Sequence, residues 1–151
     1  MNAPVRKPST STGLRMGGLN TTTPSVGDMV ETRLVTILPR VTVEDISKSA
    51  QCVFEEMVFR TWLIDATECR GIAHDAVSVL GTLVARIKEL GCHDIVLVTP
   101  RNPPSEQTED LAIVLRSIVL RLRIHLVSCE KREAADALLT ERRWQKLKGA
   151  Q

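Results

Sequence analysis

The chain has 151 residues, a net charge of +2, 43% hydrophobic residues and only 3% aromatics. That length suits one domain with a substantial core. So few rings exclude a nucleic-acid reader that stacks bases on aromatic side chains, and they call for an aliphatic core. No apolar run approaches the roughly 18 residues of a membrane span. The N-terminus lacks the apolar stretch of a secretory signal, so a cytoplasmic protein is expected.

Residues 1–27 are rich in Ser, Thr, Pro and Gly and hold three bases (Arg6, Lys7, Arg15) with no acid. Such a segment cannot bury enough apolar surface to offset its ordering entropy, and it reads as a disordered extension. Its basic, hydroxyl-rich character faintly matches an organelle transit peptide, but the amphipathic pattern of one is missing. Residues 28–140 form the expected domain, mildly acidic at −4, and residues 141–151 form a basic helical extension or tail at +3. Basic ends on an acidic body suit contact with an acidic partner or surface, or simply a solvated tail.

Met29 to Leu38 alternates in polarity and predicts a strand that Pro39 ends. Thr42 offers an N-cap, with Glu44 and Asp45 in the first turn. Ile46, Ala50, Val53, Phe54 and Met57 then give helical spacing. Phe59 to Ile64 predicts the next strand, ending on Asp65. Ala66 to Asp75 reads as a loop. Val77, Leu80, Val84 and Ile87 mark a helix over 74–90 that Gly91 stops. Ile95 to Val98 is a buried strand and Pro100 to Pro104 a turn. Ser105 can cap a helix through Leu111, Val114, Leu115, Ile118 and Leu122. Ile124 to Val127 is a last strand. A final helix from Ser128 or Cys129 turns Ala134, Ala135, Leu138 and Leu139 inward and continues into ERRWQKLK.

Four strands alternating with helices predict an α/β fold with a mainly parallel sheet of four to five strands covered by helices. In such folds the functional loops lie at the carboxyl ends of the strands. Here that loop is 66–75, and it carries no recognisable catalytic set. A phosphate-cradling G-x-x-x-x-G-K-(S/T), a dinucleotide G-x-G-x-x-G after a strand and a G-x-S-x-G elbow are all missing. Cys52, Cys69, Cys92 and Cys129 show no C-x-x-C spacing and read as free thiols in a reducing compartment. His74, His93 and His125 lie in separate segments without metal-ligand spacing. No metal, no cofactor and no enzymatic activity are therefore expected. Asp65 at a strand end invites comparison with a phosphoacceptor, but Pro39 and Arg40 stand where an acidic pair would have to hold Mg²⁺. Asp65 is better read as an acceptor for nearby loop N–H groups.

Two segments resemble the STAS domain, the family of sulphate transporters and anti-sigma-factor antagonists. Asp65-Ala66-Thr67 matches the family's D-(L/I)-(S/T) segment, with Glu68 and Cys69 where Gly-Val is usual. Arg132-Glu133-Ala134-Ala135-Asp136-Ala137-Leu138-Leu139 is similar to its closing helix. With the order of elements, the resemblance spans roughly 29–139. It implies a STAS-like fold, usually with one extra strand at the start. It also implies a non-catalytic protein-interaction module for signal transduction in a bacterial regulatory or scaffolding assembly.

The family's phosphorylation motif is replaced. Its Asp falls on Ala73 and its Ser or Thr on His74, while Asp75 supplies a permanent charge one residue later. Ser78 is the nearest hydroxyl, one turn into the expected helix. Thr67 lies in the loop. Asp75 is also a good helix cap. The expected docking face is the 66–75 loop with the exposed side of the 74–90 helix, using Glu68, Arg70, His74, Asp75, Ser78 and Arg86. The implied partner is a protein, kinase-like or another regulator, including other STAS proteins or a second copy of the chain; no nucleic acid and no membrane span are expected. The alternative is a small-ligand or nucleotide-binding α/β module using the same strand ends, against which the lack of a glycine-rich loop counts.

Overall fold

The computed structural model describes residues 20–25, 27–100 and 108–149. Among them, β1 (Thr21–Pro24), β2 (Met29–Leu38), β3 (Thr61–Ala73), β4 (Asp94–Val98) and β6 (His125–Cys129) lie side by side in that order, and a short β5 (Thr108–Glu109) pairs with the far end of β3. β2, β3, β4 and β6 run parallel, whereas β1 and β5 are antiparallel to their neighbours. The sheet is thus mainly parallel, as the sequence pattern implies.

Helices α1 (Arg40–Glu56), α2 (Val77–Glu89) and α3 (Leu111–Leu122) connect successive parallel strands and pack on one face; α4 (Arg132–Gly149) packs on the other. Consecutive right-handed crossovers put all connecting helices on the same side. Leu80, Leu83, Val84 and Ile87 bury the inner stripe of α2 against Trp62, Ile64, Ile95 and Leu97. Full burial of each such side chain contributes about 1.5–3 kcal/mol. The core is mostly aliphatic, but Phe54, Phe59 and Trp62 meet edge to face at centroid distances of 5.9 and 5.7 Å. Ala135 seals the opposite face over Leu63, Val96 and Val98.

Several boundaries differ from expectation. Thr21–Pro24 lie inside the segment expected to be a disordered extension, yet they pair with Val30–Arg33 as the edge strand. Asn20 Oδ1 accepts the Val35 N–H at 2.8 Å, and the Thr22 and Thr32 hydroxyls meet at 3.0 Å. Thr32 in turn accepts the Trp62 indole N–H at 2.7 Å, so these threonines satisfy a donor in the core. α1 starts directly after Pro39, whose carbonyl accepts the first helical N–H from Val43, rather than at Thr42. Asp110 caps α3 through the N–H groups of Ala112 and Ile113; Ser105 and most of the 100–104 turn lie outside the described residues. α4 starts at Arg132 because His125–Cys129 remain in the sheet, and it runs unbroken into the basic C-terminal segment. Gly91 does end α2, at φ 115°, with the Cys92 N–H bonded back to the Ile87 carbonyl.

Candidate functional site

Beyond Asp65, β3 outruns β4, whose pairing with it ends at Val98. The expected 66–75 loop is instead strand as far as Ala73, followed by one 3₁₀ turn, His74–Ala76. Two neighbours hold this extension. Val35, Thr36, Ile37 and Leu38 pair with Glu68, Cys69, Gly71 and Ile72 on one side. Glu109 and Thr108 pair with Ile72 and Ala73 on the other. The β2 register shifts twice, between Arg33 and Val35 and between Thr36 and Ile37, each time placing one extra residue on β3. Such bulges break the two-residue alternation. Ala66, Cys69 and Ile72 therefore face the core at every third position, while Thr67, Glu68 and Arg70 are exposed.

The bulged segment holds unusual backbone. Thr36 has φ 59°, the left-handed region that a β-branched residue rarely enters. Gly71 has φ 127°, and a Cβ there would stand 2.6 Å from Thr108 Oγ1. Only glycine lets β5 approach so closely.

The six expected contact residues fall into three places. His74, Asp75 and Ser78 share the turn and the first turn of α2. His74 Nδ1 lies 2.8 Å from Glu109 Oε1, tying the turn to β5. Asp75 is exposed and, among the described residues, makes no side-chain hydrogen bond or ion pair. It does not cap α2: the N-cap position is Ala76, which offers no side chain to do so. Since α2 starts at Val77, Ser78 is its second residue, exposed in the first turn rather than one turn in. Glu68 and Arg70 project from the β3 extension, with Glu68 bound to Arg33 at 2.9 Å. Arg86 lies two turns further along α2, between Glu55 of α1 at 3.6 Å and Glu89 at 3.5 Å.

Sequence reasoning missed the apolar residues at this end of the sheet. Ile37 stands beside Gly71 in the register. Val41 is in the first turn of α1, which packs against the 74–76 turn, and Ile113 is in the first turn of α3. Their exposures of 41, 63 and 62% are high for large apolar side chains. Only the fold gathers three first turns at one end, so no local pattern signals them.

Asp65 accepts the Thr67 N–H at 3.1 Å and the Thr67 hydroxyl at 2.5 Å, as expected of a residue that orders its own backbone. It also meets Arg132 at 3.0 Å. Arg132 forks both nitrogens onto Glu31 at 2.9 Å and reaches Asp136 at 2.9 Å. Partial burial pushes the Asp65 carboxyl upward, but the Thr67 hydrogen bonds and the Arg132 guanidinium outweigh it and hold it below the usual range. The cluster pins the start of α4 to β2 and β3. About three turns further along α4, Arg142 bonds Asp94, which also lies 3.0 Å from His125 Nδ1.

Neither buried thiol is activated. Burial pushes Cys69 up and Cys92 up to about 11, the reverse of what a thiolate nucleophile needs. Cys52 is exposed on α1, not in the core. Among the described residues, no three His, Cys, Asp or Glu side chains stand close enough to hold a metal, and no helix is long and apolar enough to cross a membrane.

The fold is similar to that of the anti-sigma factor antagonist SpoIIAA in its unphosphorylated form, with a TM-score of 0.52 and 14% identity over 80% of this chain and 97% of that one. It is also similar to an uncharacterized Shewanella loihica protein with a SpoIIAA-like fold, with a TM-score of 0.57 and 16% identity over 85% and 99% of the two chains. The expected STAS-like α/β fold is borne out, and at these identities the fold is what is shared. No family model and no curated protein sequence matches the chain.

Proposed function

We propose that the chain is a non-catalytic protein-interaction module of a bacterial regulatory assembly, acting in the cytoplasm. It docks a partner protein at the carboxyl end of the sheet. The observation that carries this reading is the turn at His74–Ala76, where His74 and Asp75 are exposed and His74 is tied to Glu109, with the exposed side chains of Ile37, Val41 and Ile113 at the same end. Protein interfaces combine an apolar centre with polar groups that set specificity. Asp75 is free to meet a partner because it caps nothing. His74 fixes the turn through Glu109, and Ser78 adds a hydroxyl beside it. Glu68 and Arg70 extend the surface along β3. Arg86 joins it only where a partner lies along the whole of α2.

The rigidity also supports docking. Bulges, a left-handed Thr36 and a close Gly71–Thr108 contact hold the β3 extension in one shape. A preformed surface loses less conformational freedom on binding. Asp75 provides a fixed charge where the family's phosphorylated residue would stand next to it, so docking here does not depend on a kinase.

The test is shift mapping by NMR with a partner recovered by pull-down and then purified. Perturbed resonances should concentrate on 68–78 and on Ile37, Val41 and Ile113. Perturbations confined to other surfaces would contradict the proposal. So would a nucleotide that stabilises the protein by the ~2.7 kcal/mol expected at 100 times its Kd, which would favour the ligand-binding alternative.

A further inference from the structure

A second surface lies at the opposite edge of the sheet from β1. β6 pairs with β4 on one side, and among the described residues no strand pairs with the other. His125 donates its N–H to the His93 carbonyl, and Cys129 accepts the Thr99 N–H on its carbonyl. In a parallel ladder the residues that bond one neighbour alternate with those that face away. The main-chain groups of Leu126 and Ser128 therefore face the open side. Their side chains line a groove with Arg116, Val119, Leu120 and Ile124.

This groove is apolar at its base, with Arg116 on its rim and Arg123 two turns on along the same flank of α3. Leu120 is 79% exposed. Residues 111–123 contain Arg116, Arg121 and Arg123 and no acid. All three arginines are exposed, and among the described residues none forms an ion pair. Other exposed arginines vary: Arg33, Arg40 and Arg86 find carboxylates, whereas Arg60 and Arg70 form no ion pair among the described residues.

We infer that the β6 edge and the adjoining face of α3 take an extended, acidic segment of a partner protein, which adds to the sheet as a further strand. The open N–H and C=O groups of Leu126 and Ser128 supply main-chain hydrogen bonds. Leu120, Ile124 and Leu126 accept apolar side chains, and Arg116 and Arg123 select acidic ones. A second copy of the chain fits poorly. Antiparallel β6–β6 pairing would bring the Arg116 and Arg123 pairs of two copies together, and such charges guard an edge against its own kind. An anionic membrane would meet the arginines but leave the open main-chain groups without partners.

The surface is separate from the docking turn, so the two are tested independently. The probe is a short synthetic peptide of valine, threonine and aspartate, with a control in which lysine replaces aspartate. Binding is followed by fluorescence anisotropy and amide hydrogen exchange. The aspartate peptide should bind at least about tenfold tighter than the lysine one, more so at low salt. It should newly protect the N–H groups of Leu126 and Ser128 and leave those of Val127 and Cys129 unchanged. The double variant R116E/R123E should reverse the preference between the peptides, and His74→Ala should leave it intact. Equal binding of both peptides, no added protection at Leu126 and Ser128, or insensitivity to R116E/R123E would overturn the inference. Self-association through this edge, or arginine-dependent binding to anionic vesicles in place of the peptide, would overturn it equally.

Discussion

Gly71 and Thr108 are packed so closely that a single methyl group would separate them: a Cβ on Gly71 would lie 2.6 Å from Thr108 Oγ1 and 3.1 Å from the Glu109 carbonyl. This contact seats β5 on the end of β3 and so positions His74, which bonds Glu109. The sequence ECRG at 68–71 thus carries a structural instruction as well as exposed charge.

Gly71→Ala should therefore destabilise. Its φ of 127° strains any L side chain, and the added Cβ displaces β5. Together these should cost about 2–3 kcal/mol, lowering Tm by roughly 4–12 °C in a chain of this size. Thermal unfolding followed by circular dichroism checks this. A Tm within a degree of wild type would mean that β5 is not held as described.

Arg132 holds Glu31, Asp65 and Asp136 at once. Arg132→Ala leaves partly buried carboxylates without their cation and should lower stability by about 2 kcal/mol at pH 7. The pH dependence follows from Asp65, whose pKa falls on folding. The native state then holds that proton less tightly than the unfolded chain does. Its stabilising contribution is complete above the unfolded value of about 3.9 and is lost as pH falls through the folded value. Wild type should lose this increment on acidification below pH ~4, and Arg132→Ala should show a shallower decline. Tm measured from pH 7 to pH 2 for both proteins decides it; parallel curves would contradict the assignment.

Starting the chain at Asp28 rather than at Asn20 removes β1, the Asn20–Val35 bond and the Thr22–Thr32 contact. It exposes the edge of β2. Tm should fall by several degrees, at roughly 2–4 °C per kcal/mol. Equal melting temperatures for the two chains would show that β1 adds nothing to the sheet.

The parallel sheet, the helices and the buried stripe of α2 were legible because period and local stop signals agree there. Leu80, Val84 and Ile87 sit at helical spacing, and Gly91 supplies the left-handed residue that ends the run. β1 was not legible, because TTTP lies in a polar, proline-containing stretch and is stabilised by pairing with β2 rather than by its own apolar face. The β3 extension was hidden by its bulges, which replace alternation with the three-residue spacing of Ala66, Cys69 and Ile72. Of the candidate site, His74, Asp75 and Ser78 do come together. Arg86 is drawn into an ion-pair group with α1, a long-range contact that helix spacing alone does not reveal. The role of Arg132 depends on Glu31, 101 residues away in sequence, and no motif announces it.

We propose that docking runs through the His74–Asp75 turn without phosphorylation. This claim is tested most directly by measuring partner affinity for wild type, Asp75→Asn and His74→Ala at low and high salt. Asp75 makes no bond within the described chain, so Asp75→Asn should leave Tm unchanged. The same change should nevertheless weaken binding by about 1–2 kcal/mol at low salt and by less at high salt. His74→Ala, which frees the turn from Glu109, should weaken binding at both. Unchanged affinity for both variants would contradict the claim, and phosphate found on Ser78 in protein purified from its own cells would contradict its kinase-independent part.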